Sequence, residues 1–311
     1  MLVSETLAVA SAFCVALGSM FLGELRGREP FLRLLRWQLL AAVVMTASIS
    51  AVLGGWRTVG QTELYLLLGS GFFGIALGNT TYLATIYAIG PRMTALLFSL
   101  TAPFSVILGY LALGETITGA QGIGVALVMG GVGLAIGVPR KAGIVVSPAM
   151  PAIAVAAGEA PIPASTAAGL WLGVSLGVAT AALQAVGMLL ARPAMEAGVE
   201  PFTAMAIRTV VGAALFLLLP MTPFGARARG LPRYDALALA IGATFLGIVL
   251  GTSLLMAALH RGHVGIVSTL SSLTPVLILP MEWIRTGRPP PRAAWFGAVL
   301  AIAGIAMISA G

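Results

Sequence analysis

Ten stretches of about twenty mostly apolar residues follow one another along this chain, at approximately 3–22, 35–53, 64–86, 92–112, 119–138, 169–190, 203–220, 236–258, 264–284 and 293–310. About 20 residues is the length a helix needs to cross a bilayer, since each adds ~1.5 Å against ~30 Å of hydrocarbon. Lipid offers no partner to a bare peptide group, so only helices and closed barrels span it. No window here alternates with period two for long, which excludes a barrel. The expected fold is therefore all-α and integral to the membrane, with ten transmembrane helices.

Charge supports that reading. Only 9% of the 311 residues are charged and 59% are hydrophobic, and the mean hydropathy is +1.03. Soluble domains carry about 25% charged residues. The net charge of +7 comes from 17 Lys and Arg against 10 Asp and Glu. On a soluble chain such a balance would suggest nucleic acid. Here the basic residues sit between apolar runs, as loop residues facing water and headgroups do, so no nucleic-acid partner is expected. The lone Cys14 lies within the first run and gives no disulfide framework. That run has no basic segment before it and no cleavage site after it, and reads as a retained helix.

One long interruption, 139–168, holds Pro139, Pro148, Pro151, Pro161 and Pro163 and reads as an extended linker. The segments on either side of it repeat. Gly74-Ile75-Ala76-Leu77-Gly78 is matched 173 residues later by Gly247-Ile248-Val249-Leu250-Gly251. Ser99-Leu100-Thr101-Ala102-Pro103 resembles Ser272-Leu273-Thr274-Pro275, Gly124 and Gly131 match Gly297 and Gly304, and Arg36 matches Arg208. The expected organisation is a first five-helix repeat over 1–138, the linker over 139–168 and a second five-helix repeat over 169–311. Five is odd, so the second copy starts on the opposite face and the halves are inverted. Inverted repeats are a common plan of secondary transporters, in which two halves rock about a central site.

Polar groups at membrane depth are few, and each carries information. The glycine pairs Gly74/Gly78 and Gly247/Gly251 lie on one helix face and suit close helix packing. Pro103 and Pro275 are expected to kink their helices and free a carbonyl. Asn79, Tyr82, Thr101, Gln184, Ser271 and Thr274 are the candidate substrate-binding residues. Neutral and set among apolar residues, they suit an amphipathic or weakly charged organic molecule. Arg36 and Arg208 are candidate gates or anion contacts, with snorkelling to a helix end as the plainer alternative. No carboxylate is placed mid-membrane; Glu282 stands near Arg285 at a helix end. His260 and His263 alone are too few for a metal site. With a single Asp, Asp235, and no catalytic cluster, an enzyme is not expected, and no cofactor is expected either.

The ordered motifs resemble the drug/metabolite transporter superfamily, in its ten-helix members with two EamA-type repeats. The residues that carry this are Ala12-Phe13-Cys14-Val15-Ala16-Leu17-Gly18-Ser19, Arg36, Gly90-Pro91, Leu100-Thr101-Ala102-Pro103 and Leu113-Gly114-Glu115-Thr116. Gly124 to Gly133 complete the first half, and in the second half they are Gln184-Ala185-Val186-Gly187, Arg208, Gly247 to Gly251, Leu273-Thr274-Pro275 and Gly297 to Gly304. The resemblance covers nearly everything except the linker. It departs at Val15, where tryptophan is common, and at Arg285-Thr286-Gly287-Arg288, which replaces a second Leu-Gly-Glu.

The resemblance implies a secondary transporter of small metabolites, amino acids or drugs, multi-pass in the plasma (inner) membrane, working by alternating access. Its partners would be the lipid bilayer and a small organic solute, with a homodimer as an option. A channel-like facilitator, or a non-transporting membrane enzyme or accessory subunit, is the alternative. Thirteen of the basic residues lie in or beside loops after odd-numbered helices and four after even-numbered ones. Positive loops stay in the cytoplasm, which would put both termini outside; the resemblance implies termini inside.

Overall fold

The computed structural model describes residues 2–26, 28–113, 117–137, 167–218, 233–261, 270, 273–287 and 289–310. Among them there is helix and no strand. In chain order the helices are α1 (Leu2–Glu24), α2 (Phe31–Leu53), α3 (Gln61–Ile89), α4 (Pro91–Phe98), α5 (Thr101–Leu113), α6 (Gly119–Gly137), α7 (Ala167–Glu196) and α8 (Pro201–Leu218). They continue with α9 (Tyr234–Thr244, Phe245–Gly251 and Thr252–Arg261 in unbroken succession), α10 (Thr274–Thr286) and α11 (Arg292–Ala310). Seven helical spans are long and apolar enough to cross a membrane by length and composition; Gly119–Leu134 and Arg292–Ile308 are shorter apolar helices. The proline-rich stretch 139–168 lies outside the described residues except for its last two, which open α7.

Punctuation in the sequence becomes helix ends. Gly54 closes α2 in the left-handed region, at φ 68°, with its N–H bonded to the carbonyl of Ser50. Only glycine adopts that conformation without strain, which is why it so often ends helices. Gly90, at φ 86°, stops α3, and Pro91 opens α4 where its missing N–H costs nothing. Pro193 does not end α7, which runs on to Glu196. It stands in the last turn, and its carbonyl still accepts from the N–H of Ala197 at 3.0 Å.

The fourth apolar stretch is interrupted just before its proline. The break precedes it: Ser99 and Leu100 form a tight turn, their N–H groups bonded to the carbonyls of Leu96 and Leu97. Pro103 is then the third residue of α5, where its missing N–H would have had no helical partner. Pro275 likewise sits in the first turn of α10, after Leu273. Both prolines stand in the first turn of a helix.

Two segments share an unusual feature. Gly71–Leu77 within α3 and Phe245–Gly251 within α9 are wound as π-helix. Such wide turns are rare and tend to mark functional places in helices. Each lies beside a glycine crossing. A Cβ on Gly187 of α7 would come 2.9 Å from Cα of Gly74, and a Cβ on Gly18 of α1 would come 3.1 Å from the backbone nitrogen of Gly247. So α3 crosses α7, and α9 crosses α1, with backbone against backbone. In lipid this closeness supplies packing energy that hydrophobicity cannot. Serine reinforces both: Ser70 donates to the carbonyl of Gly187 and Ser11 to that of Gly251, each at 2.6 Å.

Two further helix pairs run antiparallel. In α2 and α8, Thr46 meets Thr209 at 3.2 Å and Ser50 meets Thr203 at 2.5 Å. In α6 and α11, a Cβ on Gly124 would lie 2.5 Å from the carbonyl oxygen of Gly304, and one on Gly131 would lie 2.6 Å from that of Gly297. These glycines match between the two copies of the sequence, and their contacts cross the match: Gly124 meets the counterpart of Gly131, and Gly131 that of Gly124. Buried Leu34, Leu35 and Leu39 pack with Met205 and Phe216 behind the first pair, and Leu96, Leu97 and Val128 with Ala298 and Ile305 behind the second.

Candidate functional site

Between these crossings lies a cavity of about 520 Å³. Its wall is mainly apolar, with Leu22, Ile75, Phe98, Val106, Met205 and Ile248 among the lining residues. One end reaches Ile117 and Arg192, both exposed. The other end is lined by Leu22 and Ala95, just inside a band of ion pairs. There Arg92 faces Glu282 at 3.5 Å and Arg285 pairs with Glu24. Glu29 accepts from the backbone N–H of Arg233 at 3.0 Å and from Arg33 at 3.3 Å. Glu24, Glu29 and Arg92 belong to the first copy of the sequence and their partners Arg285, Arg233 and Glu282 to the second. Arg26, outside the helices, donates to the carbonyl of Ala88 at 2.8 Å, and burial lowers its pKa.

Of the residues singled out in the sequence, Asn79, Tyr82, Thr101, Gln184, Thr274 and Arg208 all line this one cavity. Ser271 lies outside the described residues. Arg36 is not in the lining; its guanidinium stands 5.8 Å from the ring centre of Trp37. The two arginines that match in sequence therefore occupy different surroundings.

Each polar group arrives with part of its bonding spent. Ser19 donates its single proton to the carbonyl of Val15 at 2.7 Å. Its contact with the Tyr82 hydroxyl, at 2.6 Å, is then donated by the tyrosine. Tyr82 is held further by an edge-on contact with Phe98, the ring centres 5.6 Å apart. Thr101 lines the cavity yet donates back to the carbonyl of Phe98 at 2.7 Å, and Thr274 donates to that of Ala12 at 3.4 Å. Thr101 thus covers a carbonyl at the end of α4, and Thr274 ties the start of α10 to the middle of α1.

Three lining groups keep unspent capacity. Nδ2 of Asn79, Oε1 of Gln38 and Nε of Arg208 are buried without a partner among the described residues. Arg208 is 5% exposed, and its Nη1 points to Sδ of Met205 at 3.4 Å. Gln184 lies along the glycine face of α3: a Cβ on Gly74 would be 3.2 Å from its Oε1, and one on Gly78 would be 3.7 Å from its Cδ. Gly74 and Gly187 meet directly, whereas nothing stands within 4 Å of a Cβ on Gly247, the close approach there falling on Gly18. Gln38 was not apparent from the sequence. An amide two residues after Arg36, in an otherwise apolar run, was the available signal.

Comparison with known proteins agrees with the fold. A solved structure described as "Crystal structure of protein" superimposes with a TM-score of 0.63 at 17% identity, over 98% of this chain and 94% of that one. No curated protein matches the chain. The EamA-like transporter family matches residues 2–137 and again residues 171–310. A multi-pass helical membrane protein with two such matches and an internal cavity between them belongs to the EamA-like transporter family, whose members are membrane transporters.

Proposed function

We propose that this protein is a secondary carrier of a small organic solute in the plasma (inner) membrane, working by alternating access around the cavity. Its two five-helix halves, 1–138 and 169–311, are inverted copies joined by the linker 139–168. What supports the inversion is the antiparallel run of α2 against its sequence counterpart α8, and of α6 against its counterpart α11. Copies pointing the same way would set these pairs parallel. The rocking of such halves exposes a central site to each side in turn.

The observation that carries the proposal is the asymmetry of the cavity. It reaches the surface at Ile117 and Arg192, whereas Leu22 and Ala95 at the other end are buried, next to residues whose ion pairs join one half to the other. Pairs of this kind can break and re-form as the halves rock. Asn79, Tyr82, Gln184 and Arg208 contact the solute in this reading, with Thr101 and Thr274 shaping the wall. Arg192 and Gln121 lie at the mouth.

Counterflow in proteoliposomes tests the proposal. Vesicles preloaded with a defined mixture of metabolites are mixed with the isotope-labelled mixture, and uptake is followed by mass spectrometry. A carrier accelerates entry of the labelled solute when the unlabelled form is inside. Flux without that acceleration would indicate a channel, and no flux of any component an accessory subunit.

A further inference from the structure

The charge of the cavity is one-sided. Among the described residues its lining includes Arg208 and Arg192 but no Asp or Glu. Arg192 sits at the exposed mouth and is bonded through Nε to Glu196 at 2.9 Å. Arg208 is deep, and a buried guanidinium that meets no carboxylate is costly to keep. The partner its Nη1 has is a thioether sulfur, a weak acceptor.

The fold nevertheless holds this side chain in place. A Cβ on Gly71 would press 2.7 Å from the carbonyl oxygen of Arg208, so backbone packs on backbone there. A Cβ on Gly74 would come 2.9 Å from Nη2, so the bare glycine makes the room in which the guanidinium lies. Nearby on the same helix, Asn79 offers an Nδ2 that is buried without a partner. A fixed cation and a spare N–H donor, both lining one apolar chamber, match a carboxylate carried on an apolar body.

Resting on the carrier reading of this cavity, we infer that its solute is an amphipathic organic anion, with the carboxylate on Arg208 and the body against Ile75, Phe98 and Ile248. An amine has no acid to receive it in the described lining and is repelled by Arg208. A zwitterion satisfies the arginine but leaves its ammonium group with neutral acceptors only. The cavity therefore discriminates by charge among molecules of one shape.

Three compounds with the same phenyl and two-carbon body test this: 3-phenylpropionate, phenylalanine and phenethylamine. Their binding to the full chain in nanodiscs is measured by calorimetry, beside acetate, which has the charge without the body. The expected result is that 3-phenylpropionate binds at least about tenfold more tightly than each of the others, the size expected for one hydrogen bond to a charged group. Arg208→Gln is expected to bring the three phenyl compounds within about threefold of one another, since it removes the buried charge that separates them. If that variant does not fold, the ranking on the unaltered protein decides. Equal or tighter binding of phenylalanine or phenethylamine overturns the inference, as does no binding by any of them, or a folded Arg208→Gln that keeps the ranking. Acetate binding as well as 3-phenylpropionate also overturns it, since the site would then be an inorganic-type anion pocket. Failure of the carrier reading looks different: the ranking appears in binding, yet counterflow of 3-phenylpropionate shows no trans-acceleration.

Discussion

Nη2 of Arg208 lies over the bare Cα of Gly74, so close that a Cβ there would stand 2.9 Å away. The two residues come from different copies of the repeated sequence, and the glycine's lack of a side chain sets where the cation sits. Gly74→Ala should therefore act on the site more than on the fold. The atoms it meets first, Nη2 of Arg208 and Oε1 of Gln184, are ends of flexible side chains. Gly187→Ala meets the Cα and N of Gly74 at 2.9 and 3.0 Å, which cannot swing away. Overpacking of that kind typically costs about 1–3 kcal/mol. The expected outcome is a clear loss of Tm in detergent for Gly187→Ala, and for Gly74→Ala a smaller one with weakened solute binding. Equal losses of Tm would show that Gly74 serves packing alone.

Gln184→Ala and Asn79→Ala probe the neutral part of the lining. Either should weaken apparent solute affinity by about 1 kcal/mol or more, the net worth of a hydrogen bond, at normal expression. A glutamine that only packs would tolerate alanine. Unchanged affinity in both variants removes these residues from the site.

Glu282 faces Arg92 in the band of ion pairs beside the cavity, with both side chains partly exposed. Exposed pairs contribute only about 0–1 kcal/mol. Glu282→Gln is expected to lower transport no more than a few fold and to leave its pH profile unchanged, since no transport step is assigned to a titrating carboxylate there. Loss of proton-driven transport with folding and binding intact would give Glu282 a coupling role instead.

The basic residues bear on orientation. Those in or beside loops after odd-numbered apolar stretches outnumber the rest, which predicts both termini outside. A C-terminal fusion to alkaline phosphatase should then be active, and one to a fluorescent protein dark. Fluorescence without phosphatase activity would place the termini in the cytoplasm.

Residue type and spacing carried the helices and the duplication, because apolar length and repeated motifs are local properties. They also nominated part of the cavity, namely Asn79, Tyr82, Thr101, Gln184, Arg208 and Thr274, since a polar side chain inside an apolar run has few other uses. Partners are another matter. Glu282 has Arg285 three residues away, yet it faces Arg92, while Arg285 pairs with Glu24. Arg36 and Arg208 are equivalent in sequence; one rests by Trp37 and the other lines the cavity. What separates them is the neighbouring helix, which spacing along the chain does not encode. The prolines marked a break without fixing its form. A proline inside an apolar stretch reads as a kink, whereas the tight turn at Ser99 and Leu100 ends one helix and lets Pro103 start the next.

The glycine clasp between α6 and α11 has a consequence for how the protein is made. The groove-forming face of α6, with Gly124 and Gly131, finds its mate in Gly304 and Gly297 of α11. At about 5–20 residues per second of synthesis, α6 waits on the order of ten to thirty seconds before that mate leaves the ribosome. For that interval the nascent chain holds an unfilled small-residue stripe in lipid, open to chaperones or to the wrong helix. The tenth apolar stretch is thus the one that fills the groove left by the fifth.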